Sequence, residues 1–462
     1  MYERDVITAK GRLVAGLMVF LFAAFLSTPA RAFDPGHVAA GYKAGFMCSG
    51  VYTAERDPVE IRRGELVGGD PTVFLVPPAD IERAARSVTV PYSLFMPPRI
   101  AVDTDAFGCV LLPPGSTYED RSMVPDVAMP RPAEDPSLIM WPDGDLLPEA
   151  RLPPEVDGEK LDQAVEHAFS GRKYAPHKTL GVVVVYRGMI IAERYAPGWG
   201  QNVQYRTWSS AKSITNALVG IMVREGRLSV EQRAPIPEWE GDPRAEITIE
   251  NLLHMSSGLK SRGALTREAY WGGINTAEAI VESELEAEPG TRWKYSNFDT
   301  LLLVLSIKNV LGDNEVYWTL PYREVFNKIG MRNTVPGIDP YGNYILSSQV
   351  YTTPRDLARF GMLYLNDGVW NGERILPEGW VEYTTTPAPA KEDRGYGAQW
   401  WLIGIDPRIP DDAFTTSGAR GQLSTVVPSR DLVVVRTGLD PLIGSRWSQE
   451  EFVKDVLLAL DE

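Results

Sequence analysis

A serine followed three positions later by a lysine is a minimal arrangement for nucleophilic catalysis, because the amine can take the hydroxyl proton. On a helix, residues i and i+3 share a face, so the spacing brings the two groups together. The pair occurs at Ser170/Lys173, Ser209/Lys212 and Ser257/Lys260. A serine at a helix N-terminus also gains unpaired N–H groups and the positive dipole end, which stabilise a developing oxyanion. Ser170 trails a helix and is followed by Gly171, while Ser257 runs into Gly258-Leu-Lys260-Ser-Arg-Gly263, which reads as loop. Ser209 instead opens an apolar stripe of Ile214, Leu218, Ile221 and Met222 that stops at Gly226. An N-cap serine with an exposed lysine is the plain alternative. The approach through Tyr205-Arg-Thr-Trp208, just after a strand hairpin, favours the nucleophile, since a cap calls for neither that lysine nor that approach.

A proton-shuttling tyrosine is the expected partner, and Tyr-x-Asn also occurs three times, at Tyr295/Asn297, Tyr341/Asn343 and Tyr364/Asn366. Tyr341 sits in a Pro/Gly loop and Tyr364 within the amphipathic helix Arg355–Leu365. Tyr295 follows the turn at Pro289-Gly290 and the extended Thr291-Arg-Trp-Lys, and precedes the buried helix Phe298–Val310. Loops in such places present catalytic groups. A packed core tyrosine is the competing reading.

Four segments in this order carry a resemblance: Trp-Ser209-Ser-Ala-Lys212-Ser-Ile-Thr, Leu-Leu-His254-Met-Ser-Ser-Gly-Leu259, Pro-Gly-Thr-Arg-Trp-Lys-Tyr295-Ser-Asn297 and Ser417-Gly-Ala-Arg-Gly-Gln422. Over residues 156–460 the chain resembles the class C β-lactamase-like serine hydrolases, and within them the 6-aminohexanoate-dimer hydrolase and esterase branch. Residues 33–150 resemble an accessory N-terminal region of some members. The resemblance implies an α/β fold with a central antiparallel sheet, flanking helices and an inserted all-helical subdomain at roughly 215–390. It also implies Ser209 as the acylated nucleophile, Lys212 as its proton partner and Tyr295 as the phenol that shuttles protons. Asn297 would contact substrate or lysine, and Gly418 and Ala419 would lie where a strand supplies the second oxyanion N–H. Whether Lys212 or a Tyr295 phenolate takes the serine proton stays open at this stage. Trp271, Trp400 and Trp401 are candidate pocket walls, with ordinary packing as the alternative.

One departure bears on substrate. Penicillin-binding members place Lys-Thr-Gly at the third motif strand, where the cation meets the substrate carboxylate. Here that place reads Thr415-Thr-Ser417-Gly418; Arg420 is near but out of register, and Arg436-Thr437-Gly438 ends a strand. The expectation is therefore a small neutral amide or ester as substrate, with no cofactor. β-Lactamase or D-amino-acid peptidase activity, or a non-catalytic envelope protein of this fold, are the alternatives.

The elements that must position these residues follow from periodicity. Leu161–Phe169 is an amphipathic helix, and Gly181–Tyr186, Arg187-Gly188 and Met189–Arg194 form a hairpin whose apolar first arm reads as central. The middle of the chain is mostly helical; strands return at Tyr396–Ile405, Leu423–Pro428 and Leu432–Arg436, and Ser448–Leu460 closes as a helix. Strands at both ends enclosing a helical middle predict one antiparallel sheet built from the two ends. Residues 33–110 read as a small α+β unit, with a helix at His37–Thr53, a second opening at Asp57-Pro58, and strands in Ser87–Cys109. The ten prolines of 111–155 exclude helix and central strand there, leaving a linker or a strap.

Arg4, Lys10 and Arg12, the apolar run Leu13–Leu26 and the Ala-x-Ala pattern ending at Ala32 read as a secretory leader; a retained anchor is the alternative. The expected mature chain starts at Phe33, and export to an oxidising compartment permits a single Cys48–Cys109 disulfide; two buried thiols are the other reading. The expected location is the periplasm, without stable membrane insertion after cleavage. A net charge of −15 without a basic cluster argues against nucleic acid. With 2 Cys and 4 His, and no metal-ligand spacing among them, no metal site is expected.

Overall fold

The computed structural model describes residues 35–67, 71–149, 152–170, 173–174, 178–260, 263–404, 406–442 and 447–460. The leader and its cleavage site lie outside the described residues. Gly36–Glu462 pack as one compact unit.

The N-terminal region starts with α1 (Pro35–Cys48), which runs on as a π-helical turn, Ser49–Thr53. Next comes the short α2 (Pro58–Ile61), capped by Asp57, whose carboxylate accepts from the Val59 N–H at 2.7 Å. Strands β1 (Asp80–Glu82), β2 (Ser87–Val90), β3 (Arg99–Thr104) and β4 (Gly108–Leu111) form an antiparallel meander in sequential order. A disulfide between Cys48 and Cys109, Cα atoms 5.9 Å apart, ties the end of α1 to β4.

The proline-rich stretch is a strap across the next layer, held largely by donors reaching its carbonyls. Arg359 donates to the Pro142 and Gly144 carbonyls at 2.7 and 2.5 Å, and Arg355 to the Asp145 carbonyl at 2.8 Å. Trp141 Nε1 in turn donates to the Gly188 carbonyl at 2.9 Å. Prolines lack an N–H but keep their carbonyls, so such a segment can be satisfied from one side only.

Beyond the strap come α3 (Gly158–Ser170), β5 (Thr179–Tyr186), β6 (Met189–Tyr195), β7 (Tyr205–Arg206) and α4 (Ala211–Arg224). The helical middle holds α5 (Ile249–Leu253), α6 (Gly263–Trp271), α7 (Thr276–Val281), α8 (Asn297–Leu311) and α9 (Asn314–Pro321). It continues through β8 (Val335–Pro336), β9 (Val350–Thr352), α10 (Pro354–Leu365), the hairpin β10 (Val369–Trp370) and β11 (Glu373–Arg374), and α11 (Trp380–Thr385). The chain closes with β12 (Trp401–Leu402), β13 (Phe414–Gly418), β14 (Gln422–Val427), β15 (Leu432–Gly438) and α12 (Gln449–Leu458).

The main sheet is antiparallel with order β12-β13-β14-β15-β5-β6, so strands from the two ends of the region do meet. The pairing Val433↔Val185 and Val435↔Val183 puts four valines on the face covered by α10 and the helical middle. Val182, Val184, Leu432 and Val434 point the other way, onto α3 and α12. This explains the unbroken apolar run of β5: both faces are covered, and each buried valine contributes roughly 1.5–3 kcal/mol.

Two features depart from the sequence reading. The strand expected at Tyr396–Ile405 shrinks to β12, because Gln399 takes φ 61° and its Nε2 donates to the carbonyls of Leu252 and Leu253, each at 3.0 Å. A small sheet, β7-β9-β8, also lies outside what periodicity shows, its strands being two or three residues long.

Candidate active site

The small sheet delivers the nucleophile turn. Arg206 pairs with Tyr351 in β9, and the Thr207 N–H donates to the Val350 carbonyl at 2.8 Å. The chain then turns through Trp208, at φ 50°, into the 3-10 turn Trp208–Ser210 that runs directly into α4. A left-handed backbone at a bulky residue is strained, by about 1–3 kcal/mol, and persists only where neighbours hold it. Here the Phe46 ring of α1 lies 5.7 Å from the Trp208 ring, and the Arg206 guanidinium sits 4.6 Å over it. Ser209 is half-buried at the start of this helix, while Ser210 turns inward and donates to the Gln422 carbonyl at 2.7 Å.

Lys212, one turn on, is 1% exposed. Its Nζ donates to Asn297 Oδ1 at 2.6 Å and to the Ser347 carbonyl at 2.8 Å, so Asn297 is a lysine contact. Burial drives the amine down to about 7, the Asp299 charge partly opposing the shift. Ser209 lies close enough to the Tyr295 hydroxyl to favour its charged form, and the Tyr295 ring centre lies 5.2 Å from Lys212 Nζ. Burial pushes the phenol up to about 12, with the nearby Ser209 opposing. Ser209, Lys212, Tyr295 and Asn297 are thus brought together from the starts of α4 and α8.

The end of β13 closes the other side. A Cβ on Gly418 would stand 2.0 Å from the Thr207 carbonyl oxygen and 3.1 Å from Ser210 Oγ, so this strand abuts the nucleophile turn and only glycine fits. β12 pairs with Phe414 and Thr415 alone, which leaves the β13 edge from Thr416 to Gly418 beyond its strand neighbour. Half-buried Ala419 follows in the turn to β14. Unpaired backbone at a strand edge is what an oxyanion or substrate amide can use.

Two of the three tryptophans change place. Trp400 is fully buried, stacked on Phe360 and 4.5 Å from the Tyr364 ring, and belongs to the core. Trp271 is buried beneath α1, with Tyr42 at 4.9 Å, Phe46 at 5.3 Å and the Arg206 guanidinium at 4.2 Å. Trp400 is therefore core, while Trp271 lines a small cavity with Arg206, Tyr270 and Gln349. Trp401 does stand by the site, 5.7 Å from Tyr295, with Trp293 at 6.4 Å behind it.

The discarded pairs have structural partners. Lys173 pairs with Asp455 and Lys260 with Glu284; Ser257 donates to Asp299, and Tyr364 to Asn216. Tyr341 is exposed. Arg420 is buried and donates to the backbone carbonyls of Gly64, Glu65, Val67, Leu439 and Asp440, at 2.8–3.3 Å. It clamps the N-terminal region to the β13–β14 turn, away from the vacant cation position. Sequence reasoning missed Asp299, although a carboxylate inside the apolar Phe298–Val310 run was a visible signal.

A central antiparallel sheet, a helical insertion and a serine–lysine–tyrosine cluster between them define a penicillin-recognising type of hydrolase fold. Residues 172–437 match the β-lactamase family model, and the chain belongs to that family of serine hydrolases. It is 25% identical over 379 residues to the 6-aminohexanoate-dimer hydrolase of Paenarthrobacter ureafaciens, spanning 71% of this chain and 95% of that one. Among solved structures it is similar to a family VIII carboxylesterase, with TM-score 0.52, 15% identity, and 67% and 98% of the two chains covered. A penicillin-binding protein homologue from Caulobacter crescentus aligns with TM-score 0.50, 14% identity, and 67% and 98% covered.

Proposed function

We propose that this hydrolase opens a small neutral amide or ester through an acyl-enzyme on Ser209, with Lys212 as base and Tyr295 as proton shuttle. The observation that carries the reading is a buried lysine, three residues after Ser209 and 5.2 Å from the Tyr295 ring centre, whose two hydrogen bonds go to Asn297 and Ser347. A neutral amine has two N–H bonds; with both directed at those acceptors, its lone pair is left for the reaction. Burial lowers the Lys212 amine and raises the Tyr295 phenol, which supports the amine as the resting base.

In acylation the Ser209 Oγ–H proton passes to Lys212 as Oγ bonds the carbonyl carbon. The oxyanion meets the N-terminal end of the Ser209 turn and the β13 edge. The Tyr295 phenol hands a proton to the leaving amine or alcohol and is reprotonated from Lys212. Water then attacks the ester, gives its proton to the same base, and releases the acid with Ser209 restored. The relative from Paenarthrobacter is named for cleavage of an amide dimer and a structural neighbour is a carboxylesterase, which supports both substrate types. The absent third-motif cation favours neutral substrates over β-lactam carboxylates. The leader-like start supports a periplasmic site of action.

The test is a comparison of p-nitrophenyl butyrate and nitrocefin. The expected result is ester turnover, with kcat/KM for nitrocefin at least ~10³-fold lower. Equal or better nitrocefin turnover would reject the substrate class.

A further inference from the structure

A carboxylate is buried behind the lysine. Asp299 is 1% exposed on the first turn of α8, two residues after Asn297. It accepts from Ser257 Oγ at 2.9 Å and from the Ser257 N–H at 3.4 Å, while its own N–H donates to Ser296 Oγ at 3.3 Å. Among the described residues none of these contacts is a cation. Burying a carboxylate without charge compensation is strongly unfavourable. The cation whose field reaches it is Lys212, and Lys212 in turn touches only neutral acceptors.

Among the described residues no other charge is placed to balance it. The α5–α6 connection presents the Ser257 hydroxyl, α4 presents Lys212, and α8's own approach presents Tyr295 and Ser296. The segment before β12 contributes Tyr396, a phenol that burial holds neutral. His254, at the end of α5, is buried, and burial takes it down to about 4.

We propose that Asp299 is a positioning residue whose carboxylate raises the proton affinity of Lys212, the reactive form being a neutral amine beside an ionised Asp299, with Ser257 keeping the carboxylate in place. This rests on Ser209 and Lys212 having the roles given above. When the Ser209 proton moves to Lys212 Nζ, the new ammonium is balanced by the Asp299 carboxylate; when the proton leaves with the departing group, the pair returns to its resting state. Burial raises the acid and lowers the amine, and the charge of each partner opposes the other's shift. The Ser257/Lys260 pair, set aside as a nucleophile, thus supplies the hydroxyl that anchors this carboxylate.

The test is the rate of fluorophosphonate labelling of the full chain from about pH 5 to 9, for the native protein and Asp299→Asn, Asp299→Glu, Ser257→Ala and Ser209→Ala. Removing the negative charge lowers the amine's proton affinity. In Asp299→Asn the acid limb therefore moves to lower pH by on the order of one unit, and the plateau rate falls about ten-fold. Ser257→Ala moves the limb the same way by less, and Asp299→Glu restores its position. A limb in Asp299→Asn that stays with the native one, or moves up, overturns the proposal, because a purely structural loss lowers the plateau alone. Should Asp299→Asn not fold, an unmoved limb in Ser257→Ala overturns it. No label on the native protein, or equal label on Ser209→Ala, would instead refute the assignment of the nucleophile.

Discussion

Gly418 stands against the Thr207 carbonyl so closely that a Cβ would lie 2.0 Å from that oxygen. The β13 edge and the nucleophile turn are therefore fixed relative to each other by the absence of a side chain. Gly418→Ala must push one of them away. The expected outcome is about 1–3 kcal/mol of lost stability and a fall in kcat of ~10²-fold or more, with little change in KM. Thermal melts and steady-state kinetics on a p-nitrophenyl ester check both; native kcat in this variant would separate β13 from oxyanion stabilisation.

Arg420 makes a prediction about substrate. It holds five backbone carbonyls across the junction with the N-terminal region, and releasing it would take a donor from the buried bonds to Gly64 and Asp440. Arg420→Ala should lose at least about 2 kcal/mol of stability yet leave the ratio of ester to nitrocefin turnover within a few-fold. A selective collapse of nitrocefin hydrolysis would show that Arg420 reaches the substrate.

How much of this was visible in the chain depends on the range of the physics. Ser209, Lys212 and the β5–β6 hairpin are local patterns, one residue spacing or one apolar run. Trp271 and Trp400 look like pocket walls in sequence, and only the packing of α1 and of Phe360 and Tyr364 shows that they are covered. The β12 segment was over-extended because the pull of Gln399 on Leu252 and Leu253 comes from 146 and 147 residues away. The pairing of Asp299 has no local mark either, because its partner Ser257 lies 42 residues away. The clamp of Arg420 on residues 64–67 has no local mark in the sequence.

The pH profile follows from the two shifts. Lys212 acts as the amine, and its proton affinity is lowered to about 7, so kcat/KM for a neutral ester should be low in acid and rise through about pH 7. Tyr295 is raised to about 12, so the phenol stays protonated and no alkaline fall is expected below about pH 10. A descending limb between about pH 8 and 10 would contradict the assignment of Tyr295 as a neutral proton donor.

The disulfide closes a loop of sequence separation 61 and fastens the helix that carries Tyr42 and Phe46 over Trp271. By loop entropy it contributes about 4 kcal/mol. Replacing Cys48 and Cys109 by Ala together should lower Tm by several degrees and weaken the packing that holds Trp208 in its strained turn; an unchanged Tm would remove the bond from the stability account.

The central claim is that Ser209 carries the acyl group. The direct measurement is acid quenching of the full chain during turnover of p-nitrophenyl butyrate, followed by peptide mapping by mass spectrometry. The account predicts a butyryl group on the peptide containing Ser209, lost in Ser209→Ala and diminished in Lys212→Ala and Tyr295→Phe by at least ~10²-fold in acylation rate. A butyryl group on Ser257 or Ser170, or undiminished turnover in Ser209→Ala, would contradict it.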